Sequence, residues 1–329
     1  MNATRSPKVS IIIPAYNSER YIGDSLQSVF DQTFHDYQVI VVDDGSTDET
    51  KARVLVAPGP VEYIHQSNQG PAAARNTGIS AAKGDLICFL DADDSWAPDK
   101  LETQVEFMDL NPDVGLVFAD EEEFDDVGVQ CVSLLAKSSF HAELMAGNVV
   151  AEPFQKLLLE NFIPTSMVMV RTACFKTAGL FDVELKGPED RDMWSRIAVS
   201  APIACIPRVL GRKRVVASSV SRDAETTLRS RIRLWTKART LFPELAPVRT
   251  INALLAPTYV QLGFILLRQN KTEQARGFGW KALRVSRDPY ESFLATSLVF
   301  FSLTGRAFAD RVFRTKRWLL STRHSTTAW

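Results

Sequence analysis

The chain has 329 residues, 45% hydrophobic and 23% charged, a composition that excludes a small stapled scaffold or a disordered chain and leaves room for about two domains. Its net charge of −1 is a cancellation: residues 1–221 carry 19 Lys and Arg against 32 Asp and Glu, and residues 222–329 carry 19 against 7. The asymmetry predicts an acidic domain over 1–221 and a basic one over 222–329.

In chain order, Val9–Ile13, Gln38–Val42, Val61–His65, Leu86–Leu90 and Val114–Ala119 are apolar runs of strand length. They lack polar alternation, as expected of strands covered on both faces. Between them, Ile22, Leu26, Val29 and Phe30 repeat at helical spacing, Ser46 to Glu49 fits a capping box, and Pro71 to Lys83 forms a helix stopped by Gly84. This alternation predicts an α/β fold, a mostly parallel sheet with helices on both faces and ligands at the carboxyl ends of the strands. The acidic run Asp120 to Asp126 reads as a solvated loop. Pro153 to Glu160 reads as a helix and Ser166–Arg171 as a strand. A short helix ends at Gly179, another runs from Asp190 to about Ser200, and Ile203–Ile206 and Gly211–Val216 are short strands. From Ser221 onward helical periodicity takes over. Leu228, Ile232 and Trp235 form one stripe, and Tyr259, Leu262, Gly263, Leu266, Ala275 and Ala282 have the spacing of a single helical hairpin. An apolar helix over Ser292–Leu303 and another over Phe308–Leu320 follow, with Arg306, Arg311, Arg314, Lys316, Arg317 and Arg323 clustered behind the first.

Two acidic clusters follow predicted strands: Asp43-Asp44 after Gln38–Val42, and Asp91-Ala92-Asp93-Asp94 after Leu86–Leu90. Carboxylates gathered on one short loop repel one another unless a cation joins them. Asp91 and Asp93, one residue apart, let one carboxylate reach a divalent metal while the other turns to a sugar or ribose hydroxyl. Oxygen-only ligands favour Mg2+ or Mn2+ bridging substrate phosphates. The bland alternative is an Asp-rich solvated turn.

Five segments, in order, resemble the motifs of glycosyltransferase family 2: Val9 to Asn17, Val42 to Asp48, Gly70 through Gly78, Asp91 to Asp94, and Glu189 to Trp194. The resemblance covers most of residues 7–221. It implies a GT-A fold and an inverting transferase that uses a nucleotide-diphosphosugar donor, a UDP-sugar by expectation, to build a surface polysaccharide or lipid-linked glycan. By the same resemblance Pro14, Ala15 and Tyr16 line the base pocket, Asp44 accepts the imide N–H of the base, and Arg75 lies along the nucleotide. Asp91 faces the ribose or donor sugar, Asp93 binds the metal, Asp94 borders the donor sugar, and Asp190 is the catalytic base. Glu189 and Asp190 have a second reading, as acids favoured at a helix N-terminus. Where many relatives carry a Tyr-Arg-x-His-like segment, this chain has Arg212-Lys213-Arg214-Val215-Val216; Lys213 and Arg214 either pair with the diphosphate or grip the domain edge.

Two rivals share features with this reading: a sugar-nucleotide nucleotidyltransferase and a non-catalytic nucleotide-sugar-binding scaffold. The first is expected to carry a Gly-rich phosphate loop after the first strand, where Pro14-Ala15-Tyr16-Asn17 stands; the second is expected to lack the base or the metal Asp. No Gly-x-Gly-x-x-Gly follows a strand, and no nucleic-acid motif accompanies the basic region. Cys88, Cys131, Cys174 and Cys205 form no Cys-x-x-Cys pair and read as reduced packing residues. With a polar start from Met1 to Lys8, a following apolar run broken at Pro14 and no run of about 18 apolar residues, the expected location is cytoplasmic, with contact at an anionic membrane surface left open for the basic helices.

Overall fold

The computed structural model describes residues 6–215 and 224–304. By contacts the chain divides into two units, Met1–Glu184 with Glu189–Ser219, and Leu185–Pro188 with Val220–Trp329. The boundary expected at 221, the helix expected over Phe308–Leu320 and the basic cluster from Arg306 to Arg323 lie outside the described residues.

The first unit runs β1 (Val9–Ala15), α1 (Ile22–Phe30), β2 (Tyr37–Asp43), α2 (Thr50–Leu55), β3 (Glu62–His65), α3 (Pro71–Ala81), β4 (Leu86–Phe89), β5 (Ser95–Trp96), α4 (Lys100–Leu110), β6 (Leu116–Phe124), β7 (Val129–Cys131), α5 (His141–Met145), β8 (Asn148–Val149), α6 (Pro153–Leu159), β9 (Val168–Arg171), α7 (Thr172–Ala178), α8 (Glu189–Ser200) and β10 (Ile203–Arg214). The strands form one sheet in the order β3-β2-β1-β4-β9-β6-β10-β5, with β7 on β6 and β8 on β10. Pairing is parallel among β3, β2, β1 and β4 and between β6 and β10. Between these two parallel blocks, β9 runs antiparallel to both β4 and β6.

Successive side chains of a strand point to opposite faces. Ile11 and Ile13 of β1 therefore join Val39, Val41, Cys88 and Val117 under Leu26 and Val29 of α1 and Leu101 and Met108 of α4. On the other face Ile12, Ile87, Phe89 and Phe118 pack with Met193, Trp194 and Ile197 of α8. Both faces are covered, which is why the strands read as unbroken apolar runs.

Four local expectations change. Asp120 to Asp126 is not wholly a solvated loop, because β6 continues to Phe124 and buries Asp120 and Glu121. The two strands expected near the end of this unit are one, β10, with register shifts around Val209 against β6. The capping box does not form; α2 begins at Thr50, and the Ser46 hydroxyl accepts the Asn17 amide (2.9 Å) because the loop folds back on β1. The strand expected from Ser166 begins at Val168, after a 3-10 turn, Thr165–Met167.

The second unit comprises α9 (Ala224–Leu241), α10 (Val248–Arg268), α11 (Thr272–Val285) and α12 (Pro289–Thr304) among the described residues. Small residues bring α10, α11 and α12 together: a Cβ added at Gly263 would meet Leu298 at 2.1 Å, and one at Gly279 would meet Val299 at 2.7 Å. By length and composition α10 could cross a bilayer, but half of its apolar window is buried in the unit. One side of α12 packs through Ala295 and Leu298, while Phe293, Phe300 and Leu303 are exposed.

Candidate functional site

Parallel strands deliver their carboxyl ends to one edge of the sheet. After β1 and β2 that edge holds Pro14, Ala15, Tyr16, Asp43 and Asp44, with Pro14 paired to Val42 and Ala15 to Asp43. Tyr16 is 51% exposed. Asp44 is 3% exposed. Its amide donates to the Ala15 carbonyl (2.8 Å). Its carboxylate accepts from Gln66 Nε2 (2.7 Å) and from the Gln69 (3.0 Å) and Gly70 (2.7 Å) amides. Gly70 sits at φ +92°, a conformation costly for a side-chain-bearing residue, and this turns its amide toward Asp44 at the start of α3. Asp44 therefore first folds the loop of residues 66–70; of the acceptor role expected for it, only spare capacity on Oδ2 remains. Burial works against charge on Asp43, yet the Tyr63 hydroxyl (2.5 Å) and Ser46 amide (2.8 Å) hold its carboxyl below the usual range.

Arg75, on α3, joins the two distant acidic motifs. Its Nη2 lies 2.8 Å from Asp91 Oδ1 and its Nη1 3.1 Å from Glu189 Oε1. At 5% exposure it is an ion-pair partner more than a surface contact along a nucleotide. Asp91 keeps 39% of its side chain exposed, so it faces both Arg75 and solvent. Beside Glu189 at the start of α8, Asp190 Oδ2 accepts from Asn161 Nδ2 (3.0 Å) and Thr165 Oγ1 (3.0 Å).

The Asp91–Asp94 turn separates two carboxylates by burial. Asp94 turns inward: Oδ2 accepts the Ser166 hydroxyl (2.6 Å), and Oδ1 accepts the Arg214 amide (3.0 Å). It is 4% exposed, held by these two internal donors. Burial, then Glu121, Asp91 and Asp93, push its carboxyl well above the ordinary value. Asp93 is half-buried. Burial and Asp91 push it up to about 6, against the opposing Lys213 and Arg214. Glu121, absent from the sequence-level site, lies 1% exposed on β6; burial pushes it up to about 8 although Lys213 opposes.

Successive residues of β10 divide the two basic roles left open above. The Arg214 guanidinium lies over the rings of Tyr21 (4.7 Å) and Phe124 (4.5 Å), a grip on the domain edge. Burial works against the Lys213 ammonium, yet the field of Glu121, Asp94, Glu123 and Asp91 raises it above the ordinary value. Among the described residues no group of three or more His, Cys, Asp or Glu is arranged to hold a metal by itself. The half-buried Asp93 carboxylate beside Asp91 fits Mg2+ or Mn2+ only where substrate phosphates and water complete the shell.

Residues 10–140 match the family model described as glycosyl transferase family 2. An uncharacterized glycosyltransferase of Rickettsia prowazekii is 30% identical over 232 residues, 70% of this chain and 71% of that protein. The chain belongs to glycosyl transferase family 2. Three further Rickettsia relatives are longer, and the chain spans 33% or less of each. The putative teichuronic acid biosynthesis glycosyltransferase TuaG of Bacillus subtilis is 44% identical over 106 residues, 31% of this chain and 42% of that one. Among solved structures, Staphylococcus aureus TarS 1–349 in complex with UDP-GlcNAc is similar at a TM-score of 0.58 and 22% identity, covering 88% of this chain and 79% of that one. The mannosyltransferase PcManGT of Pyrobaculum calidifontis, in complex with GDP-Man and Mn2+, is similar at 0.57 and 21%, covering 91% and 81%. At those identities the likeness establishes the GT-A fold.

Sequence reasoning missed Glu121, Asn161, Thr165 and Ser166. Glu121 is hidden in a charge run that reads as surface, and a hydroxyl ahead of a strand carries no signal until the strand's direction is known.

Proposed function

We propose that the protein is an inverting glycosyltransferase that moves a sugar from a nucleotide diphosphate to an acceptor hydroxyl. The observation that carries this reading is the meeting of the half-buried Asp91 and Asp93, the cation Lys213 and the carboxylate Asp190 at one sheet edge, with Arg75 tying Asp91 to the residue beside Asp190. The nucleotide stacks at Tyr16 beside Pro14 and Ala15, and Lys213 pairs with diphosphate oxygens. Asp93 would hold Mg2+ or Mn2+, and the metal would supply positive charge to offset that of the departing diphosphate. Asp190 takes the proton of the acceptor hydroxyl as that oxygen bonds to the anomeric carbon and the carbon–phosphate-oxygen bond breaks. A single displacement inverts the centre. The acceptor is a surface polysaccharide or lipid-linked glycan, a reading supported by the likeness to TuaG.

The test is a panel of UDP- and GDP-sugars, scored for Mn2+- or Mg2+-dependent binding and turnover. Asp190→Asn is expected to lower transfer by about 10^2 to 10^4 while donor binding persists. Near-normal transfer by Asp190→Asn rejects the base assignment. Binding without turnover by the unaltered chain favours a scaffold, and diphosphate release from a nucleoside triphosphate favours a nucleotidyltransferase.

A further inference from the structure

Because β9 runs against β4 and β6, its amino end arrives where their carboxyl ends lie. The turn at that end, Thr165–Met167, touches both halves of the site. The Thr165 hydroxyl donates to Asp190 Oδ2 (3.0 Å). The neighbouring Ser166 hydroxyl donates to Asp94 Oδ2 (2.6 Å) and accepts the Asp91 amide (3.1 Å). The turn is itself pinned, since Trp96 Nε1 donates to the Ser166 carbonyl (2.7 Å) and Gln104 Nε2 to the Met167 carbonyl (2.7 Å). Thr165 and Ser166 are both buried, and Cα atoms of consecutive residues are held about 3.8 Å apart by the peptide unit.

We infer that Thr165 and Ser166 are paired positioning residues of the transfer reaction, one aiming the carboxylate of Asp190 and the other shaping the Asp91–Asp94 loop. The spacing between proton acceptor and diphosphate site is thereby set by one rigid turn. Asn161, exposed and bonded to the same Asp190 oxygen, is a second aiming donor. The inference rests on the function proposed above. Neither hydroxyl touches reacting atoms, and a shift of about 1 Å in such a group can cost about a hundredfold in rate.

The experiment compares full-length Thr165→Val, Asn161→Ala, Ser166→Ala and Thr165→Ser. Calorimetry reads binding of UDP or GDP with Mn2+, and turnover is read with the best donor of the panel. Thr165→Val and Asn161→Ala are expected to lower kcat about tenfold or more with Kd for the Mn2+ nucleotide within about twofold, and Thr165→Ser to restore it. Ser166→Ala is expected to raise that Kd about tenfold, with a smaller loss of kcat at saturation. Exposed Asn161 keeps the test readable if Thr165→Val fails to fold. Equal losses of kcat and affinity in all variants, or no loss in any, overturn the inference. If Asp190→Asn abolishes transfer while Thr165→Val and Asn161→Ala leave kcat unchanged, positioning falls and the base assignment stands. A wild-type chain that binds neither Mn2+–UDP nor Mn2+–GDP overturns both.

Discussion

Arg75→Met removes the guanidinium that two acidic motifs share. The Arg75 side chain is 6% exposed and that of Glu189 is 8%, so this pair is dry; the Asp91 side chain, 39% exposed, is partly answered by water. Removing one partner of a buried pair costs about 3–5 kcal/mol, because the other charge stays buried, whereas a solvated pair is worth about 0–1 kcal/mol. The Glu189 half therefore dominates, and the first unit should lose about 3 kcal/mol at pH 7. Burial already raises the Glu189 carboxyl despite Arg75, so without Arg75 it escapes its charge by taking a proton. An acid raised in the folded state loses stability as pH rises, so the loss should be larger at pH 8 than at pH 5. Arg75→Met with Glu189→Gln should recover about 2 kcal/mol, since the stranded charge is gone. Hydrogen exchange of the β4 and α8 amides reads this unit apart from the second. A loss below about 1 kcal/mol, or a double variant weaker than Arg75→Met alone, would refute the reasoning.

Glu121 keeps its proton in the folded chain up to about 8 and loses it near 4.5 when unfolded, so stability is full below 4.5 and declines as pH rises toward 8. Glu121→Gln should flatten that decline in urea midpoints at pH 5 and 8; equal slopes in both proteins count against it. Lys213→Met should weaken UDP binding about tenfold by calorimetry, and unchanged affinity would remove Lys213 from the proposed diphosphate site. We propose that the basic second unit meets an anionic membrane surface. The intact protein should then sediment with phosphatidylserine vesicles at low salt and be released by salt, and a wholly soluble protein at low salt would reject this.

Much of the site was legible because local chemistry wrote it. Two of the five motifs place acids after buried strands, and β2 and β4 do end at Asp43 and Phe89, with Asp44 and Asp91 just beyond. The direction of each carboxylate was not legible. Asp93 and Asp94 are neighbours of identical type, yet one stays half-buried while the other is buried and accepts the amide of Arg214, 120 residues away. Glu121 and Glu122 likewise read alike in the acidic run. One is buried; the other pairs with Arg212 at the surface.

The sequence alone determined the alternation of strand and helix, the acidic strand ends and the division of charge between residues 1–221 and 222–329, because periodicity and composition act over a few neighbouring residues. The tertiary structure decided that β9 inserts antiparallel, that Thr165 and Ser166 reach the site, and that Asp44 and Asp94 turn inward. Those outcomes depend on hydrogen-bond donors that only the sheet brings into range.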